Sequence, residues 1–207
     1  MLIQNHNGEI GDSDVFHRTR LLNEMLSLVK TPVTVNYDCD ILLDPRDYVA
    51  ARDRVLAGAD LVYPYYKGES QRQIGPVGKR MLSRSCDLSE VAVTSWQSSC
   101  GHCQFFNTES YIEGGMENEE FLSYGPEDTE RMLRFQKLGY RVEWMDNLIY
   151  HIEHARGQNS NDSNPHFRDN DDLYRKLGYM NPEQLREYYA TRDYLKKYQD
   201  EQDTSFF

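Results

Sequence analysis

Four cysteines in 207 residues, at positions 39, 86, 100 and 103, are too few and too unevenly placed for a disulfide scaffold of this size. A reducing compartment, the cytoplasm, is the simpler expectation. Basic charge is also short: 23 Lys and Arg stand against 34 Asp and Glu, a formal net charge of -11. Nucleic-acid binders draw much of their affinity from basic surface, so this balance argues against that class. Any anionic ligand must be held by a metal ion and a few local cations. No run approaches the roughly 20 apolar residues of a membrane span, and the first residues lack the basic and then apolar layout of a secretory signal. No internal repeat is visible.

What is present suffices for one α/β domain with a packed core, since 39% of the residues are hydrophobic and 15 are tyrosines. A mean hydropathy of -0.78 adds charged helices and polar extensions to that body. Leu2 to Gln4 reads as a short strand, and Phe16 to Val29 as an amphipathic helix with Leu21, Leu22, Met25, Leu28 and Val29 at helical spacing. Val33 to Tyr37 reads as a buried strand after Pro32, with Asp38 and Asp40 at its carboxyl end. Asp44-Pro45 caps a helix from about 46 to 56 closed by Gly58, and Leu61 to Tyr65 is the next strand. Helix, strand, helix, strand in this order implies parallel crossovers.

Further on, Tyr66 to Ser89 lacks periodicity and reads as a loop-rich excursion. Strands are expected at 91–96, 104–107, 141–145 and 148–151, and helices at 108–113 and 126–138, each helix ended by glycine. Arg156 to Asp172 reads as a mobile polar loop, Asn181-Pro182 opens a last helix, and the tail past Gln199 frays.

Four patterns can carry chemistry. Asp38-Cys39-Asp40 places two carboxylates at a strand end, where α/β sheets bind ligands and where a divalent cation could hold a phosphorylated substrate. Alone it reads sooner as a loop-capping pair. Glu127-Asp128 opens a helix, where the dipole favours carboxylates in any case. His151-Ile152-Glu153-His154 can bring two imidazoles to one point if a strand ends near His151. Cys100-Gly101-His102-Cys103 matches a disulfide-exchange motif, but strand-like residues follow it where that chemistry needs a helix N-terminus. A zinc site from Cys100, His102 and Cys103 is the lesser alternative.

Taken in order, these blocks resemble the GT-A fold glycosyltransferases, above all the β-1,4-galactosyltransferases and, more loosely, the polypeptide N-acetylgalactosaminyltransferases and bacterial chondroitin-type polymerases. Phe16-His17-Arg18-Thr19-Arg20-Leu21-Leu22-Asn23 looks like the family's F-N-R-A-x-L-L-N, and Asp38-Cys39-Asp40 takes the place of its DxD. Tyr124-Gly125-Pro126-Glu127-Asp128 looks like W-G-G-E-D, and His151-Ile152-Glu153-His154 resembles M-x-x-H with His for Met. The resemblance covers roughly residues 2–157 and implies a Rossmann-like mixed sheet flanked by helices.

It also implies an inverting transferase that moves galactose or N-acetylgalactosamine from a UDP-sugar to a glycan hydroxyl. Asp40, His151 and His154 would hold Mn²⁺, with Mg²⁺ tolerated because imidazole replaces a soft thioether. Phe16, Arg18, Asp38, Asp40, Lys67 and Gly101 would face the donor nucleotide and its phosphates. Tyr124, Gly125 and Glu127 would form the acceptor and sugar platform, and Asp128 would be the general base. The implied division is a partial catalytic domain over 1–155, a mobile loop over 156–172 and a helical extension over 173–207. Family members begin with a further β-α-β portion, so this sequence is expected to lack part of the nucleotide pocket and to pair with a second copy through an open sheet edge. The expected place is the cytoplasm, without a membrane span and peripheral to a membrane-bound glycan assembly system. The competing reading is a shortened, inactive transferase-like module that binds a glycan or a partner protein. A haloacid dehalogenase-like phosphatase, which also places D-x-D after a strand, is set aside because Asp40 is followed by Ile41-Leu42.

Overall fold

The computed structural model describes residues 16–82, 84, 88, 93–97, 100–156 and 161–196. The expected strand at 2–4 and the fraying tail past Gln199 lie outside the described residues. The chain is a mixed α/β protein that divides into two compact units. One gathers residues 1–31, 108–139 and 156–207, the other residues 32–107 and 140–155. The stretches 16–31 and 108–139 cluster with the C-terminal helices.

The second unit is built on sheets. β1 (Val33–Tyr37), β2 (Ile41–Leu42), β3 (Leu61–Tyr63), β4 (Gln71–Ile74), β5 (Val93–Trp96), β6 (Cys103–Asn107), β7 (Val142–Trp144) and β8 (Ile149–Ile152) form two four-stranded mixed sheets, ordered β1-β6-β3-β7 and β2-β8-β4-β5. Helix α2 (Pro45–Leu56) lies against the first sheet and buries Ala51 and Val55, while the short α3 (Pro76–Leu82) follows β4. Asp44 caps α2 by accepting from the Arg46 N–H at 2.9 Å, and Pro45 occupies the first turn, where a missing N–H costs nothing. The core of this unit is the fully buried β3, the inner β6 with Phe105 and Phe106, and Ile41, Ile74 and Ile149.

Three expectations are corrected here. β1 is not a buried strand but, among the described residues, an edge strand paired only with β6; Val35 and Tyr37 are exposed, with Asn36 the residue it buries. β1 and β3 do run in the same direction, yet they are not neighbours, because β6 lies between them antiparallel to both. The 66–89 stretch is not a plain excursion either. It contains β4, ordered by two ladders, parallel to β8 and antiparallel to β5.

The first unit is helical: α1 (Arg18–Leu26), α4 (Thr108–Glu113), α5 (Glu127–Leu138), α6 (Phe167–Tyr179) and α7 (Pro182–Ala190). α5 ends at Gly139, whose φ of 89° is a left-handed cap that a side chain would strain. α7 opens with a reciprocal Asn181–Gln184 capping box. α6 corrects only the end, 167–172, of the loop expected over 156–172. Its Leu177 joins Phe121, Leu185 and Tyr189 in a small core, with Leu173 and Tyr174 packed beside it. This unit also buries charge: Arg131 donates to Glu117 and Asp128, and Arg134 to Glu130 and to the carbonyls of Gly114 and Met116.

Candidate functional site

Strand pairing makes the first site. Ile41 of β2 lies directly opposite His151 of β8, and the Ile152 N–H donates to the Asp40 carbonyl at 2.7 Å. A turn holds Asp38 to Asp40: the Ile41 N–H reaches the Asp38 carbonyl at 3.1 Å, the Asp38 N–H reaches the His102 carbonyl at 3.1 Å, and the Tyr37 hydroxyl donates to the Ile41 carbonyl. β8 then ends at Ile152, and the chain turns so that His154 comes back toward its start. Asp40 Oδ2 lies 2.9 Å from His154 Nε2 and 3.5 Å from His151 Nε2. One ligand atom from each of the three residues falls within 4.8 Å of the others.

This donor set fits a cation. His154 Nδ1 lies 2.9 Å from the Ala155 carbonyl, which can only accept, so in the neutral ring Nδ1 carries the proton and Nε2 is bare. His151 Nδ1 sits 3.0 Å from Gln73 Oε1, and donation to that oxygen leaves its Nε2 bare as well. Two lone pairs facing a carboxylate oxygen repel unless a proton or a cation lies among them. A cation bound at about 2.1 Å to each ligand needs ligand atoms roughly 3 to 4 Å apart, which matches the two separations from Asp40. His151 is nearly buried and His154 is 43% exposed, so the group opens to solvent on the His154 side.

The group takes in Asp40 and, among the described residues, not Asp38. Lys67 is exposed in the β3–β4 connection, and Gly101 is buried just before β6. Cys103 is buried within β6, and burial pushes its thiol far above the usual range. The structure does not show a Cys100–His102–Cys103 metal group among the described residues.

The other predicted residues belong to the helical unit. His17 Nε2 meets the Glu119 carbonyl at 2.8 Å, Thr19 donates to the Phe121 carbonyl, and Asn23 both donates to Glu117 O and accepts from Glu117 N–H. The Phe16 carbonyl accepts from Ser123 N–H. The 16–23 block thus clamps the loop that leads into α5. Arg18, expected on the nucleotide, reaches Asp128 at 3.2 Å and Glu127 at 3.5 Å. Tyr124 is 37% exposed and stacks on Phe167 at 6.1 Å, while Asn170 and Asn164 donate to its carbonyl. A Cβ on Gly125 would stand 2.7 Å from Asn170 Nδ2, so glycine is required there by close approach.

Glu127 and Asp128 are pushed apart electrostatically. Burial, and then the neighbouring Asp128 charge, raise the Glu127 carboxyl well above the carboxylate range; its Oε2 is buried with no hydrogen-bond partner among the described residues. Burial acts on Asp128 in the same sense, but the guanidiniums of Arg18 and Arg131 outweigh it and hold that carboxyl low. Asp128, one-fifth exposed, is the member that solvent can reach. Glu117, Arg131, Gln71 and Gln73 were not singled out from sequence. For the glutamines the signal is their two-residue spacing, which puts both on one face of a strand. No protein-family model matches the chain, and no curated protein matches its sequence.

Proposed function

We propose that the protein is a metal-dependent, inverting glycosyltransferase of GT-A type that moves galactose or N-acetylgalactosamine from a UDP-sugar to a glycan hydroxyl. The observation that carries this reading is the meeting of Asp40, His151 and His154, residues from two distant segments, at one donor cluster. These are the residues for which the family resemblance supplies a metal role. When bound there, Mn²⁺ or Mg²⁺ supplies charge to neutralise the leaving diphosphate. Asp128 takes the proton of the acceptor hydroxyl, Tyr124 offers a ring for a sugar face, and Glu127, largely neutral, donates a hydrogen bond from its buried carboxyl. The work belongs in the cytoplasm, at a membrane-bound glycan assembly system; no described helix is long and apolar enough to cross a membrane.

One observation favours the alternative of an inactive, glycan- or protein-binding module. Arg18 and Arg131 depress the basicity of Asp128, and a base held that low extracts a hydroxyl proton poorly. A thermal-shift and calorimetric titration with UDP separates the two. Stabilisation by UDP that requires Mn²⁺, together with transfer activity lost in Asp128→Asn at unchanged UDP affinity, supports the transferase. UDP binding without turnover leaves the module.

A further inference from the structure

The Cys-Gly-His-Cys segment runs into strand β6 rather than a helix, and its histidine ends a line of hydrogen bonds that leads into the Asp40, His151 and His154 group. Gln71 and Gln73 stand on one face of β4, and Gln73 is directly opposite His151 of β8 in the parallel ladder. His102 Nε2 lies 2.8 Å from Gln71 Oε1, Gln71 Nε2 lies 3.3 Å from Gln73 Oε1, and that same oxygen lies 3.0 Å from His151 Nδ1. All of these side chains are half-buried except His151, which is buried, so water competes weakly for the bonds.

The line has two self-consistent proton arrangements. In the first, His102 Nε2–H donates to Gln71, the Gln71 amide donates to Gln73, and His151 Nδ1–H donates to the Gln73 oxygen. His151 Nε2 is then bare and faces Asp40. In the second, both amides are turned over: Gln73 donates to His151 Nδ1, the ring proton moves to Nε2, and the ligand atom is blocked. Only the first makes His151 a metal ligand. An imidazole that binds metal generally donates its other N–H to an oxygen, and loss of that outer partner costs about 10–100-fold in affinity.

We propose that His102, Gln71 and Gln73 are positioning residues that fix the His151 tautomer and so prepare the cluster for a divalent cation. The inference rests on the metal reading of Asp40, His151 and His154, and it assigns a task to the His102 side chain that no motif suggested. His102 serves twice, since its carbonyl also accepts from the Asp38 N–H and fastens the turn that carries Asp40.

The test uses the full chain in two measurements. Long-range ¹H–¹⁵N correlation of the metal-free protein, at a pH where the rings are neutral, reads the His151 tautomer; calorimetry reads Mn²⁺ affinity. The wild type is expected to show an Nδ1–H His151. Gln73→Leu is expected to populate the Nε2–H form and to bind Mn²⁺ about 10–100-fold more weakly. Gln73→Glu keeps an oxygen acceptor and retains or tightens binding, and His102→Leu weakens it in the same direction by less. An Nε2–H ring in the wild type, or equal affinity in Gln73→Leu, overturns the proposal. Should the wild type take up no Mn²⁺, the metal reading falls, while the tautomers of wild type and variants still decide whether the relay exists. If Gln73→Leu does not fold, His102→Leu and Gln73→Glu carry the decision.

Discussion

At the scale of single residues, the sharpest consequence is the pair Glu127 and Asp128, whose environments drive adjacent carboxyls in opposite directions. Glu127 is raised by burial and by the Asp128 charge. Its contribution to stability is therefore full below its unfolded pKa of about 4.3 and is lost as pH rises through its raised folded value. Asp128 is lowered by its two arginines against the effect of burial, so its contribution is present above an unfolded pKa of about 3.9 and is lost only in acid. Glu127→Gln is expected to flatten the decline of Tm from mildly acidic to alkaline pH, whereas Asp128→Asn alters the acid limb and, by removing the charge that helps raise Glu127, also softens that decline in part. Melting curves from pH 3 to 9 check this, and a Glu127→Gln profile parallel to wild type would remove the assignment. His154→Ala tests the other site. It deletes a ligand rather than an outer partner, so Mn²⁺ affinity is expected to fall by more than the roughly 100-fold upper figure for a second shell, with Tm of the metal-free protein nearly unchanged, because His154 is half exposed.

At the scale of elements, the helical unit is organised by charge as much as by apolar burial. Arg131 is fully buried on α5 and bridges Glu117 and Asp128. Removing one partner of such a pair strands the other, so Arg131→Met is expected to cost about 3–5 kcal/mol. Urea unfolding measures it, and a loss under about 1 kcal/mol would mean that the carboxylates find other donors. Gly125→Ala is a second test, since its methyl would press on Asn170, which itself bonds Leu122 N and O. Overpacking of this kind costs about 1–3 kcal/mol. These elements also show what the sequence could reveal. α2, α5 and α7 were legible because their ends are written in local chemistry: Asp44-Pro45, Gly139 and Asn181-Pro182. β4 was not, because Gln-Arg-Gln-Ile has little β preference and owes its order to ladders with β5 and β8, partners remote in sequence. α6 was not, because its Asn- and Asp-rich start looks like a loop until Leu177 and Asn170 are placed against residues 121, 122, 185 and 189. The cation cluster was legible as three residues, while its supporting glutamines and the Arg18–Asp128 pairing depend on register and packing that motif order does not encode.

At the scale of the whole molecule, the net charge of -11 sets the terms on which any nucleotide diphosphate can bind. An anion approaching such a chain meets a repulsive long-range field, which salt screens with a Debye length of about 10 Å at 0.1 M. On the proposed function, attraction comes from short range, from a cation at the Asp40, His151 and His154 group. Two dependences therefore separate. Without divalent metal, UDP is expected to bind weakly at best, and the little binding there is should strengthen as salt rises from about 0.02 to 0.2 M, because repulsion is being screened. With Mn²⁺ in excess, binding is expected to be far tighter and to weaken only modestly with salt, since a contact at bonding distance is screened much less than a field across the surface. Mn²⁺ alone at 100 times its Kd should add about 2.7 kcal/mol to the stability of the unit that binds it, visible as slowed amide exchange in β2, β4 and β8. Tight metal-free UDP binding that falls steeply with salt would place the nucleotide on a basic surface elsewhere and break the link between the cluster and the donor.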